Sequence, residues 1–352
     1  MTAAGGHGLE IGISARYRDV VSQRWPVIVA PQSEELLSSW LHRLAIANGV
    51  APRDFARVLG SASGPGSGPG SGLWSAALDL RLPAPVAACL LTHTGVSRQK
   101  LVAMSLTRSA WHPLLLPLRS RGRRGRSTWL QYCPCCLAED AQPYFRRRWR
   151  LATRISCPDH GCGLRDRCRS CGSGIAASDQ PDLVPQHLCV RCGFDLRRAP
   201  KVAVSTAARR LERCIDDICR LEAVTGRLTG TLTGNLGGSP LFQCLHRLPA
   251  IAGLAPKSTL SGLSASARRR CFEQLAHTPC TWLTAGDDGV GVHWRRLILA
   301  AGGTGALMGQ LAQALERGRH LQASPFRSAP KADLPALLAA YLDIRERPPR
   351  PR

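Results

Sequence analysis

Lysine is scarce in this chain. It occurs at Lys100, Lys201, Lys257 and Lys331, and arginine supplies the rest of 47 basic residues, against 24 acidic ones. Aspartate and glutamate are too few and too scattered to outline a two-metal nuclease centre. The pair Asp216-Asp217 reads as the solvated face of a helix. There is no His-x-Glu ahead of a Pro-Cys-x-x-Cys, as a zinc deaminase requires. Also missing are HExxH, the phosphate-cradling GxxxxGK[S/T] and the GxSxG hydrolase elbow. Each absence removes a class of chemistry, and the expectation is a protein that is not an enzyme. The opening MTAAGGHGLEIGISARYRD lacks the basic-then-apolar order of a secretion signal. The longest uncharged apolar run, 297–315, is broken by four glycines and two glutamines, so it reads as a buried helical segment and not a membrane span. The expected setting is the reducing cytoplasm, with no membrane partner.

What is present is positive charge, a formal +23 over 352 residues. Such an excess favours a polyanion, since each phosphate neutralised releases condensed counterions. The planar arginine fork suits phosphate or guanine. DNA is the expected partner. The 15 cysteines are odd in number and partly arranged in CxxC pairs, which argues against a secreted disulfide framework.

The chain reads as mainly α. Residues 1–30 lack periodicity and are expected to form a disordered arm. A helical, helix-turn-helix-like N-terminal domain follows over 31–120, with a flexible Gly-Pro-Ser insert at 64–72. In its first helix Ser33 is the expected cap and Glu34 and Glu35 occupy the first turn. Leu36, Leu37, Trp40, Leu41 and Leu44 repeat at helical spacing, and Asn48-Gly49 ends the helix. Pro52 opens a second helix. THTGVSRQKLVAMSL then gives a turn at Gly95 and a cap at Ser97, with Leu101, Val102 and Leu106 facing inward. Arg98, Gln99 and Lys100 stand at the start of this second arm, where a recognition helix would meet base edges. A packed helical hairpin with solvated cations fits the same pattern. Arg121, Arg123, Arg124 and Arg126 lie in a glycine-spaced basic loop that could follow phosphates or serve as a linker.

Residues 127–200 carry the densest chemistry. Cys133-Pro-Cys-Cys136 is a CxxC, and Cys157-Pro-Asp-His160 is a CxxH after 20 intervening residues. Cys168-Arg-Ser-Cys171 and Cys189-Val-Arg-Cys192 are two more CxxC pairs with 17 residues between them. Two donors three apart on a tight turn point at one centre, and two such turns close a tetrahedral site. The count fits tandem zinc fingers holding two structural Zn2+, one with Cys133, Cys136, Cys157 and His160, the other with Cys168, Cys171, Cys189 and Cys192. Four protein donors leave no open position for catalysis. Cys135 and Cys162 could each replace a neighbour. Sequential pairing closes shorter loops than a cross-brace. The remaining single cysteines read as core. Between the first two pairs stand Arg146, Arg147, Arg148, Arg150 and Arg154, interleaved with Tyr144, Phe145 and Trp149. The expected arrangement is aromatics inward against the knuckles and arginines outward towards DNA, on a region with little apolar core of its own. A helical C-terminal domain over 201–345 and a disordered tail at 346–352 complete the chain.

Two blocks carry a family resemblance. One is Pro31, Glu34 or Glu35, Leu36 or Leu37, Ser39, Trp40, Leu41, Arg43, Leu44, Ala45, Asn48 and Gly49. The other is the YCPxCLAED, PYFRRxWRL, CPxHG and CxxCG series. Together they resemble the TniQ family, target-selection proteins of transposons. The resemblance implies a non-catalytic adaptor that marks a DNA target, directly or through a DNA-bound targeting complex. It further implies recruitment of an AAA+ ATPase, which in turn brings the transposase. A face near Trp40 and Arg43 is expected to contact that ATPase. The competing expectation is a zinc-finger transcription regulator unrelated to transposition.

Overall fold

The computed structural model describes residues 23–61, 79–80, 82–106, 114–116, 129–175, 180–224, 240–254, 258–278 and 290–321. The first 22 residues, the 64–72 insert, the 121–126 basic loop, Cys280, the end of the expected helical domain from 322 to 345 and the 346–352 tail lie outside them. Among the described residues there are helices and isolated β-bridges but no extended strand. The chain divides into one compact unit of 1–203 with 259–268, and a second of 204–258 with 269–352.

In the first unit, α1 (Leu37–Ala47), α2 (Pro52–Ser61), α3 (Ala84–Thr94) and α4 (Arg98–Met104) enclose a core of Leu37, Trp40, Leu41, Leu44, Phe55, Leu59, Val86, Leu90, Leu101 and Met104. The turn chemistry follows the sequence closely. Gly95 ends α3 at φ 68°, in the left-handed region that glycine enters without a Cβ penalty, and the Ser97 hydroxyl accepts the Lys100 amide. Val102, however, faces solvent.

The start of α1 departs from expectation. Ser33 does not cap it; the helix begins at Leu37, with Glu34 at φ 55°. The cause is Glu35, which is engaged elsewhere. Its carboxylate accepts the Gln32 amide at 2.8 Å and the Ser39 hydroxyl at 3.1 Å, and pairs with Arg43 at 2.6 Å. Residues 23–30, placed in the expected arm, are among the described residues. They lie on the helices, with Trp25 edge-on to Phe55 at 5.0 Å and stacked on His93 at 5.4 Å. Trp40 Nε1 donates to the Val29 carbonyl at 2.8 Å, and Asn48 grips Val27 through both amide atoms.

The cysteine-rich segment, which contains the short helix α5 (Pro134–Glu139), has a substantial core of its own, contrary to expectation. Leu36, Leu115, Trp129, Leu130, Tyr132, Leu137, Phe145, Trp149, Leu164 and Leu196 pack around its thiols. It is tied to α1 by the Leu36 amide on the Phe145 carbonyl at 2.9 Å and the Arg147 amide on the Glu34 carbonyl at 2.8 Å. Residues of 259–268 fasten to the same body. The Ala265 amide donates to Asp166 at 3.0 Å, and the fully buried Arg268 donates to Gln131 Oε1 at 3.0 Å.

The second unit is helical among its described residues: α6 (Thr206–Val224), α7 (Pro240–His246), α8 (Leu248–Ile251), most of α9 (Ala265–Leu275), α10 (Val290–Ala301) and α11 (Thr304–Leu321). Leu211, Ile215 and Ile218 bury one face of α6. The 297–315 run breaks into two helices at Gly302 and Gly303, whose φ values are 86° and 130°, and Leu297 is exposed. No described helix is long and apolar enough to cross a membrane. Asp217, read as solvated, instead accepts the Thr304 amide at 2.8 Å and so caps α11. Arg295 and Glu222 form a buried ion pair that joins α10 to α6.

Candidate metal centre

Three of the four ligand pairs are the same local structure. Gly161, Gly172 and Gly193 adopt φ of 62°, 71° and 67°. Their amides return to the carbonyls of Cys157, Cys168 and Cys189 at 2.8, 3.0 and 2.8 Å. The antiparallel bridges Ser156–Gly163, Arg167–Gly174 and Leu188–Asp195 close each turn from behind. A side chain with a Cβ would strain these turns, which is why glycine follows each pair. The first pair is different. Cys133 stands at the N-terminus of α5, with the Leu137 amide on its carbonyl at 3.2 Å. CPCC is thus a helix start, with proline at the first helical position. The Tyr132–Arg165 bridge holds it against the second pair.

These turns gather the donors sequentially. Cys133, Cys136, Cys157 and His160 form one group able to hold a metal ion, and Cys168, Cys171, Cys189 and Cys192 a second, all donor atoms within 4.8 Å in each. In the first, Cys136 Sγ lies 3.4 Å from Cys157 Sγ, and His160 Nδ1 lies 3.3, 3.4 and 3.7 Å from the sulfurs of Cys136, Cys157 and Cys133. His160 turns its other nitrogen to Glu139 at 2.8 Å, the outer-sphere carboxylate that orients a ligating imidazole. In the second, Cys168–Cys192 and Cys171–Cys189 sulfurs stand at 3.6 and 3.7 Å.

Charge within each group is unevenly shared. Hydrogen bonds from Cys136 and Cys157 draw the Cys133 thiol down to about 6, while those with Cys133 and Cys157 push Cys136 far above the ordinary thiol range. In the second group burial pushes Cys168 up to about 12. At Cys171 burial acts upward too, but the Ser173 hydroxyl and amide outweigh it and bring the thiol to about 6. Four donors cannot all ionise side by side unaided; a divalent cation at the centre makes thiolates of them together. The all-sulfur and sulfur–imidazole donor sets with closed, four-donor geometry fit structural zinc. Cys135 and Cys162, each expected as able to replace a neighbour, lie with Cys133 in a third group whose donor atoms are within 4.8 Å of one another.

The arginines behave otherwise than expected. Arg146, Arg150 and Arg154 are buried, so they do not form an outward cationic face. Arg146 makes a bidentate pair with Asp140 at 2.9 and 3.1 Å and lies over the rings of Tyr144 and Trp149 at 4.4 and 5.0 Å. Arg150 pairs with Asp79 at 3.1 Å and lies 4.9 Å from the Trp129 ring. Arg147 and Arg148 are half-buried, facing Glu34 at 3.9 Å and Asp159 at 3.4 Å. Phe145 and Trp149 do turn inward, edge to face at 6.1 Å. Trp40 and Arg43, expected at a partner surface, are also buried. One edge of Arg43 still lines a cleft of about 510 Å³ with Val27, Ile28, Gln142 and Tyr144.

The exposed cations lie elsewhere. Arg98, Gln99 and Lys100 project from the start of α4. Arg169 and Arg191 project from the two turns of the second metal group, and Arg198 and Lys201 follow it. A search for dense runs of charge in the sequence passes over these last four, because they are dispersed. Their positions inside and just after the CxxC spacers are the signal that could have found them.

Residues 26–164 match the TniQ family model, a stretch that contains α1 to α5 and the first metal group and ends before Cys168. None of the curated proteins matches the chain. Over residues 26–164, therefore, this chain is similar to the TniQ family.

Proposed function

We propose that this protein is a non-catalytic adaptor of DNA transposition, holding target DNA and recruiting an AAA+ ATPase through which the transposase arrives. The match of residues 26–164 to the TniQ family supports a transposition-associated role. The observation that carries the finer reading is the union of two parts in one unit: the α1–α4 domain, and a segment built around two four-donor groups. Zn2+ fills both groups in this reading, with Cys133, Cys136, Cys157 and His160 at one and Cys168, Cys171, Cys189 and Cys192 at the other. Its part is to fix the turns, leaving no position for substrate.

DNA is held by the exposed cations, Arg169, Arg191, Arg198 and Lys201 around the second centre and Arg98 and Lys100 on α4, with the neutral Gln99 beside them, aided by Arg147 and Arg148. Backbone contacts of this kind position the protein without reading sequence. The cleft at Arg43, rimmed by the exposed Val27 and Ile28, is the surface assigned to the ATPase. Mapping insertions in cells with and without the protein tests the adaptor role. Loss of a preferred target, with transposase and ATPase intact, is expected. An unchanged insertion map refutes it.

A further inference from the structure

We infer that the first centre carries an adjoining all-thiol site, formed by Cys133, Cys135 and Cys162, that takes a soft monovalent ion such as Cu(I). The inference rests on the reading of the four-donor group as a zinc centre, with Cys133 shared between the two.

The three sulfurs lie within 4.8 Å of one another, and those of Cys133 and Cys162 are 3.5 Å apart. All three residues are buried and none is in a disulfide. The local fold brings them there for separate reasons. Cys133 and Cys135 leave the first turn of α5 two residues apart. Cys162 follows the Gly161 turn, where its carbonyl accepts the Cys157 amide at 2.8 Å. Neither Cys135 nor Cys162 belongs to the four-donor set.

The donor chemistry selects the ligand. Metal–sulfur bonds of about 2.3 Å put three sulfurs in one plane about 4 Å apart around a common ion. That spacing is within small side-chain rotations of the one observed. Zinc and harder cations complete a shell of four or more donors, and no fourth donor joins these three among the described residues. A d10 monovalent ion is satisfied by thiolates alone. A thiolate at Cys133 can bridge it to the neighbouring zinc.

The test uses the full chain, zinc-loaded and anaerobic, titrated with Cu(I) against bicinchoninate as a coloured competitor, with released zinc measured in parallel. Wild type is expected to take up about one Cu(I) per chain and release no zinc. The double variant Cys135→Ser/Cys162→Ser is expected to retain zinc and take up none. Cys135→Ala alone, at the most exposed of the three positions, is the second variant should the double one fail to fold, and it should lose the ion too. Equal uptake by wild type and variants overturns the inference, as does release of one zinc for each Cu(I) bound. Wild type isolated without zinc would refute the zinc reading instead, while the difference in Cu(I) uptake still decides the three-thiol site.

Discussion

Arg150 and Asp79 meet at 3.1 Å with neither side chain exposed to solvent. They are 71 residues apart, and the carboxylate also accepts the amide and hydroxyl of Ser38, both at 2.9 Å. An arginine from the cysteine-rich segment thus reaches, through one aspartate, the second residue of α1. Burial drives Asp79 above and Arg150 below its usual range, and the contact between them acts against both shifts.

Removing one partner leaves the other buried and uncompensated. Arg150→Met should destabilise the first unit by about 3–5 kcal/mol. Adding Asp79→Asn should restore part of that loss. Urea unfolding of the single and double variants measures it; purely additive effects would show the pair to be uncoupled.

Metal content should fall site by site. Purified protein is expected to hold two zinc ions, and Cys171→Ser or Cys192→Ser one. Chelation should lower the melting temperature steeply, since comparable zinc peptides draw about 10–16 kcal/mol of apparent free energy from the ion. Elemental analysis and a melting curve with and without chelator decide it.

Charge reversal should separate structural from DNA-facing arginines. Arg169→Glu with Arg191→Glu, both on exposed turn positions, should leave melting intact and weaken DNA binding. The slope of log affinity against log salt should shrink by about 0.9 for each phosphate that is no longer neutralised. Arg146→Glu should do the reverse, lowering stability by breaking the Asp140 pair while changing the salt slope little. Fluorescence anisotropy across a salt series, beside a melting curve, distinguishes the two.

In the second unit, Asp217→Ala removes the acceptor for the Thr304 amide. The expected cost is about 1 kcal/mol, with fraying confined to the first turn of α11. Amide hydrogen exchange should speed up there before it does in α6.

Features that depend on neighbours along the chain were legible in the sequence: the Gly95 turn, the Ser97 cap, the sequential gathering of the ligand pairs and the glycines after three of them. What escaped depends on distant partners. Nothing around Ser33 reveals that Glu35 is held by Arg43, so the expected cap falls in the wrong place. Nothing around Arg150 reveals Asp79, so an interior cation reads as a surface one. CPCC misleads in a third way, because a CxxC spacing satisfies both a turn and the first residues of a helix, and Pro134 decides for the helix.

His42 of α1 hydrogen bonds the Val184 carbonyl at 3.0 Å, and the Arg53 amide of α2 donates to the Gln180 carbonyl at 3.2 Å. Both acceptors lie on the span leading into Cys189. If an ion fills the second centre, its loss should slacken a tether whose far end is α1 and α2, and a probe placed on α2 should register metal occupancy from outside the finger.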